Sequence, residues 1–179
     1  MYILQVLSFI AITGFTSSLA ANQPAMGPVI KNFGPVYPVT EMDEPLPENF
    51  QYKAVFDVYK TASDETTHSR RLESVARFIN MHAAKGVPIE KMSLAVVFHG
   101  KATKDILSDD VYSKKYQVNN PNRPLIEALS RAGVKLYVCG QTTDYFKYGR
   151  SDILPEVKIA LSAMTQLTFL QAQGYALLP

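Results

Sequence analysis

Met92-Ser93-Leu94-Ala95-Val96-Val97-Phe98 is apolar at every position but one, and it stops at His99-Gly100. A half-exposed strand alternates apolar and polar residues. A nearly continuous run suits a strand covered on both faces, as in a parallel sheet between helices. Working upstream, residues 52–59 read as a strand. Leu72, Val75, Ala76, Ile79 and Ala83 then recur at three- and four-residue steps, which predicts an amphipathic helix closed near Gly86-Val87-Pro88. Downstream, a short helix is expected around residues 104–107. The polar, Asn-rich residues 109–122 are expected to form a loop with at most one helical turn. Residues 124–132 predict a helix stopped by Gly133, and 134–138 a third strand leading into Cys139. After a short helical piece, 157–161 reads as a fourth strand. Ser162 would then cap a helix through Gln173, with Met164, Leu167, Phe169 and Leu170 on its apolar side and Gly174 as its end. Residues 175–178 make a short fifth strand. The alternation predicts an α/β fold: an open, mainly parallel five-stranded sheet with helices on both faces, layered like a flavodoxin. Ligands in such sheets gather beyond the carboxyl ends of the strands. That singles out the loops at 60–68, 99–104 and 139–145.

A chain of 179 residues suits one domain with a substantial core, and 47% hydrophobic with 19% charged residues is a globular balance. A net charge of +2 gives no reason to expect nucleic acid as a partner, and the absence of Trp with scattered Tyr leaves no stacking platform. Residues 1–20 differ from the rest. They carry no charged side chain, hold an apolar run at 2–12, are broken by Gly14, and end on Ser18-Leu19-Ala20, small residues at signal-peptidase spacing. This predicts a secretory signal peptide cleaved near Ala20 and a periplasmic protein. The apolar run is shorter than the roughly 18 residues of a membrane span, so no stable membrane insertion is expected after cleavage. Residues 21–50 hold six prolines and two glycines, which predicts an extended leader outside the core. It would either wrap the domain or stay solvated. The α/β domain proper is expected over 51–179.

Cys139 is the one cysteine of the chain, so no intramolecular disulfide can form. It lies in Leu136-Tyr137-Val138-Cys139-Gly140-Gln141-Thr142-Thr143, an apolar strand passing into residues that can open a helix. At such a junction backbone N–H groups favour a thiolate, Gly140 permits close approach to the backbone, and the Thr142 and Thr143 hydroxyls can stabilise an anion. Two readings stand on spacing alone: a buried, inert thiol packing as a small hydrophobe, or a reactive one at the rim of the sheet. An unpaired cysteine in an exported protein also allows a thiol-based sensor that oxidises or pairs between chains. His99, with Gly100 after it, ends the neighbouring strand. It either assists the Cys139 thiolate or binds backbone in its turn. His68 and His82 are expected on the surface of the first helix. Three histidines with no carboxylate cluster at ligand spacing predict no metal site. Residues 61–67 are rich in hydroxyls, as a phosphate loop would be, but hold two acids and no glycine, so no flavin or nucleotide cofactor is expected. Arg70-Arg71 reads as a solvated helix face.

Residues 133–141, Asp152-Ile153-Leu154-Pro155-Glu156-Val157, Ser162-Ala163-Met164 and Gln173-Gly174-Tyr175, with Ala95-Val96-Val97-Phe98-His99-Gly100 upstream, together resemble the DsrE/DsrF-like family of small sulfur-relay α/β proteins. The resemblance runs from about residue 52 to 178. It implies that Cys139 occupies the position at which relay members accept sulfane sulfur as a persulfide. It implies a possible sulfurtransferase or sulfur carrier, donor and acceptor proteins as partners, and self-assembly into a homotrimer or homohexamer. A non-catalytic oligomeric binding protein of the same fold is the alternative. Relay members are largely cytoplasmic, and the expected export of this chain departs from that pattern. A single thiol suffices for a persulfide, since the second sulfur arrives as cargo, whereas a dithiol reductase needs a resolving cysteine.

Overall fold

The computed structural model describes residues 23–179. The expected signal peptide lies outside the described residues. Five strands, β1 (Tyr52–Val58), β2 (Met92–Phe98), β3 (Lys135–Cys139), β4 (Val157–Ala160) and β5 (Ala176–Leu178), form one sheet in the order β4-β3-β2-β1-β5. Every pairing is parallel. Phe98 is level with Val58 on one side and Val138 on the other, so the three central strands end flush. Everything that follows them meets at one rim.

Two helices, α1 (Arg70–Ala84) and α3 (Arg123–Arg131), cover one face. Ser69 caps α1 by accepting the Leu72 N–H at 3.3 Å, satisfying one of the donors a helix start leaves open. Leu72, Val75, Ala76 and Ile79 from α1, with Leu125, Ile126 and Leu129 from α3, pack on Phe56, Leu94, Val96, Phe98 and Val138. One helix, α5 (Ala163–Ala172), covers the other face, where the core is smaller: Val55, Ala95, Val97, Cys139, Ala163, Leu170 and Tyr175. Ser162 caps it, accepting the Thr165 N–H at 3.0 Å.

Four expectations need correcting. Residues 109–122 are not a loop: α2 (Asp109–Tyr116) occupies the first part, with Asp109 and Asp110 at the positive end of its dipole and Lys114 and Lys115 at the negative end. The asparagines after it are buried staples. Asn120 donates to the Asp105 and Leu107 carbonyls, and Asn122 accepts the Ser69 N–H. Second, the leader is not outside the core. Ile30 is buried, and the buried Asn80 of α1 accepts its N–H at 2.9 Å and donates to the carbonyls of Ile30, Phe33 and Gly34. Gly34, at φ +66°, lies where a Cβ would fall 2.4 Å from the Arg77 backbone nitrogen, so only glycine lets the strap press this close. Third, His82 is buried rather than exposed. Its Nδ1 is 2.8 Å from the Phe78 carbonyl, and its ring lies against Tyr52 and Phe78. His68 precedes α1, half-buried, 3.4 Å from Glu73. Fourth, Met164 and Phe169 of α5 face outward, while Leu170 alone of the four named residues is fully buried.

Candidate functional site

Side chains alternate along a strand, so Val138 in the larger core places Cys139 on the α5 face. Residues 139 and 140 then turn directly into α4 (Gly140–Phe146) with no loop between. Gly140 makes this possible: a Cβ there would meet the Ala160 carbonyl oxygen at 2.6 Å, so any side chain would push β3 and α4 off β4. Cys139 as a whole residue is 6% exposed.

Two helices begin beside that sulfur. Burial pushes the thiol pKa up, but the Thr142 hydroxyl and the amides of Ala163, Thr142 and Gln141 act the other way and prevail, so the thiol is more acidic than an ordinary cysteine. Gln141 and Thr142 belong to the first turn of α4, and Ala163 opens α5. Each supplies N–H groups that no turn of its own helix uses, and the dipoles add. The two hydroxyls expected here divide. Thr142 faces the thiol; Thr143 is turned inward, its Oγ1 donating to the Gly140 carbonyl at 2.9 Å, which corrects its assignment as an anion ligand.

His99 continues β2 in extended conformation, φ −157° and ψ 177°, on the same face as Val97 and next in register to Cys139. Its Nε2 is 2.7 Å from Asp57 Oδ1 of β1, and its ring stacks on Tyr59 at 5.9 Å between centroids. The carboxylate thus holds the imidazole toward β1, and among the described contacts the ring makes none with the sulfur. Gly100 starts a 3₁₀ segment, Gly100–Ile106. Asp57 was not singled out by the sequence reading. Its signal was an acid on a strand at a position of the same parity as Val55, facing the end of the next strand. The Ala163 amide was also missed, because nothing in the sequence says that the α5 cap abuts β3. Among the described residues no group of three or more His, Cys, Asp and Glu is placed to hold a metal, and no helix is long and apolar enough to cross a membrane.

A family model matches residues 53–179, that of the DsrE/DsrF-like family. The chain belongs to the DsrE/DsrF-like family. Its fold is accordingly the sulfur-relay-related one, and the strap at 23–50 lies ahead of the matched region. Among solved structures, the protein of unknown function MTH1491 from Methanobacterium thermoautotrophicum is similar, with a TM-score of 0.52 and 21% identity over 71% of this chain and 97% of that one. At that identity the likeness shows the fold alone. No curated protein matches the chain.

The last charged residue of this DsrE/DsrF-like chain is Lys158, exposed on β4. Residues 159–179 contain no Asp, Glu, Lys, Arg or His. Leu161 is 71% exposed and Met164 78%, with Ile159, Phe169 and Leu177 also exposed. The outer side of α5 mixes the exposed apolar Met164 and Phe169 with exposed Thr165, Thr168 and Gln171.

Proposed function

We propose that this chain is an exported sulfur carrier that takes up sulfane sulfur as a persulfide on Cys139 and passes it on, working as a homo-oligomer. The observation that supports this best is the convergence of three amides and the Thr142 hydroxyl on the one thiol of the chain, which lowers its pKa despite burial. The thiolate attacks the terminal sulfur of a donor persulfide R–S–S⁻. A new S–S bond forms on Cys139, the donor's S–S bond breaks, and R–S⁻ leaves with the electron pair. No oxidant is needed, since the transferred sulfur is already oxidised relative to the thiol. The same amides that favour the thiolate favour the persulfide anion one bond further out.

Export rests on the apolar, uncharged residues 1–20, and self-association on the exposed apolar side chains of Leu161, Met164 and Phe169. The stretch from 159 to 179 carries no charged side chain to repel its own copy. The deciding experiment is intact mass after incubation with polysulfide. Wild type is expected to gain one sulfur and Cys139→Ser none; two unchanged masses with both proteins folded would end the carrier reading. A second reading, an oligomeric binding protein in which Cys139 only fills core, is favoured by the low exposure of that residue. It predicts that iodoacetamide fails to label the native protein.

A further inference from the structure

The hydroxyl-rich loop at 61–67 is poor for phosphate in sequence because of its two acids. In the structure both acids are engaged by neighbouring groups. Asp64 accepts from the N–H and hydroxyl groups of Thr66 and Thr67, which closes the loop on itself. Glu65 pairs with Lys104 at 3.2 Å, and its carbonyl accepts the Tyr112 hydroxyl at 3.0 Å. Thr61, Ala62 and Ser63 are left lining a 380 Å³ pocket at the carboxyl rim of the sheet.

Across that pocket stand Lys101, Lys104 and Lys115. Lys104 Nζ is 5.4 Å and Lys115 Nζ 5.5 Å from the centre of the same Tyr116 ring, so the two ammonium groups lie within about 11 Å of each other. Lys115 also takes a 2.9 Å bond to the Tyr148 hydroxyl, which holds it in place without neutralising it. Neither Lys101 nor Lys115 has an ion-pair partner among the described residues, and Glu65 is the one carboxylate in the lining. Three cations thus face one anion across a concave, hydroxyl-bearing surface. Tethered ammonium groups of like sign raise the potential in the cavity between them and lose that cost when an anion enters.

We infer that this pocket binds a small, doubly charged oxyanion (sulfate, phosphate or thiosulfate) between Lys101, Lys104, Lys115 and the hydroxyl of Ser63, the Thr61 hydroxyl being already donated to Asp105. The absence of glycine from the lining turns away a nucleotide, whose phosphates need close approach to backbone. The site is separate from Cys139 and does not depend on the carrier reading.

The test is thermal unfolding and calorimetric titration with thiosulfate, sulfate and phosphate, each against sodium chloride at equal ionic strength. Wild type and Cys139→Ser are both expected to show saturable stabilisation. Lys101→Gln/Lys115→Gln, both exposed positions, should weaken binding at least about tenfold, as expected for lost charge-assisted hydrogen bonds. Stabilisation no greater than with chloride would overturn the assignment, as would affinity indifferent to the two substitutions. Binding of AMP or FMN with none of the three oxyanions would overturn it too. Because Cys139→Ser retains the pocket, failure here is distinct from failure of persulfide transfer.

Discussion

On one face of the sheet, Phe56, Leu94, Val96, Phe98 and Val138 lie under two helices and a strap; on the other, Val55, Ala95, Val97 and Cys139 lie under one helix. The difference is one of side-chain volume as much as of cover. Large side chains need a thick layer above them to be dried on all sides, and α1, α3 and residues 23–50 supply it. Small ones let α5 come down close enough for the Ala163 amide to reach the sulfur. The thick face holds the fold together. The thin face holds the thiol and leaves Met164 and Phe169 on the outer side of α5 uncovered.

Substitutions can break this contrast. Phe98→Ala, in the thick core, should cost about 3–5 kcal/mol of unfolding free energy, while Phe169→Ala, exposed on α5, should change the stability of the isolated chain by no more than about 0.5 kcal/mol. Denaturant melts at low concentration check both, and equal costs would show that the two faces carry the same load. Phe169→Glu should leave that stability alone and shift sedimentation toward monomer; an unchanged distribution would remove the outer side of α5 from self-association.

Asp105 sharpens the contrast at the rim of the thick face. It is fully buried, one carboxylate oxygen has no partner, and burial pushes its pKa up to about 7 against the lowering effects of the Thr61 hydroxyl and Lys104. Between pH 4 and pH 7 the folded chain therefore holds a proton that the unfolded chain has released. Rising pH through that window removes stability, on the order of 1.4 kcal/mol for each pH step of one crossed. Asp105→Asn should flatten this slope, so that the variant gains on wild type at pH 8 relative to pH 5 in parallel urea melts. A slope that survives the substitution would place the titrating group elsewhere.

Asn80→Ala should cost about 2–4 kcal/mol, because the buried N–H and carbonyl of Ile30 lose their partner together. Limited proteolysis should then cut the strap first; cleavage elsewhere would show that the strap is held by something other than Asn80. The smallest effect belongs to the thin face. Thr142→Val removes a hydroxyl contact that lowers the Cys139 pKa, which should raise the thiol pKa and slow alkylation at pH 7. Identical pH–rate profiles would leave the amides alone responsible.

Much of this was legible in the chain. The apolar run at Met92–Phe98 and the three- and four-residue recurrence in α1 announce themselves because burial on two faces and on one stripe impose different patterns. Cys139 stood out because it is unpaired and ends a strand. What was not legible depends on contacts distant in sequence. Asn80 is one polar residue on a helix until the strap arrives. Asn120 and Asn122 read as loop residues until Asp105, Leu107 and Ser69 present groups that need partners. His82 looked polar enough for the surface, yet its backbone bond and two aromatic neighbours let it be buried.

The five strands, the helices α1, α3 and α5, and the place of the thiol along the chain followed from the sequence by itself, because hydrophobic periodicity and capping are local properties; α2 did not. Which groups surround that thiol was decided only by tertiary structure. The start of α5 comes to Cys139 from 24 positions further along the chain, and Asp57, from another strand, holds the His99 ring toward β1. Acidity at the sulfur is a sum of dipoles and desolvation in space, and no window of sequence contains that sum.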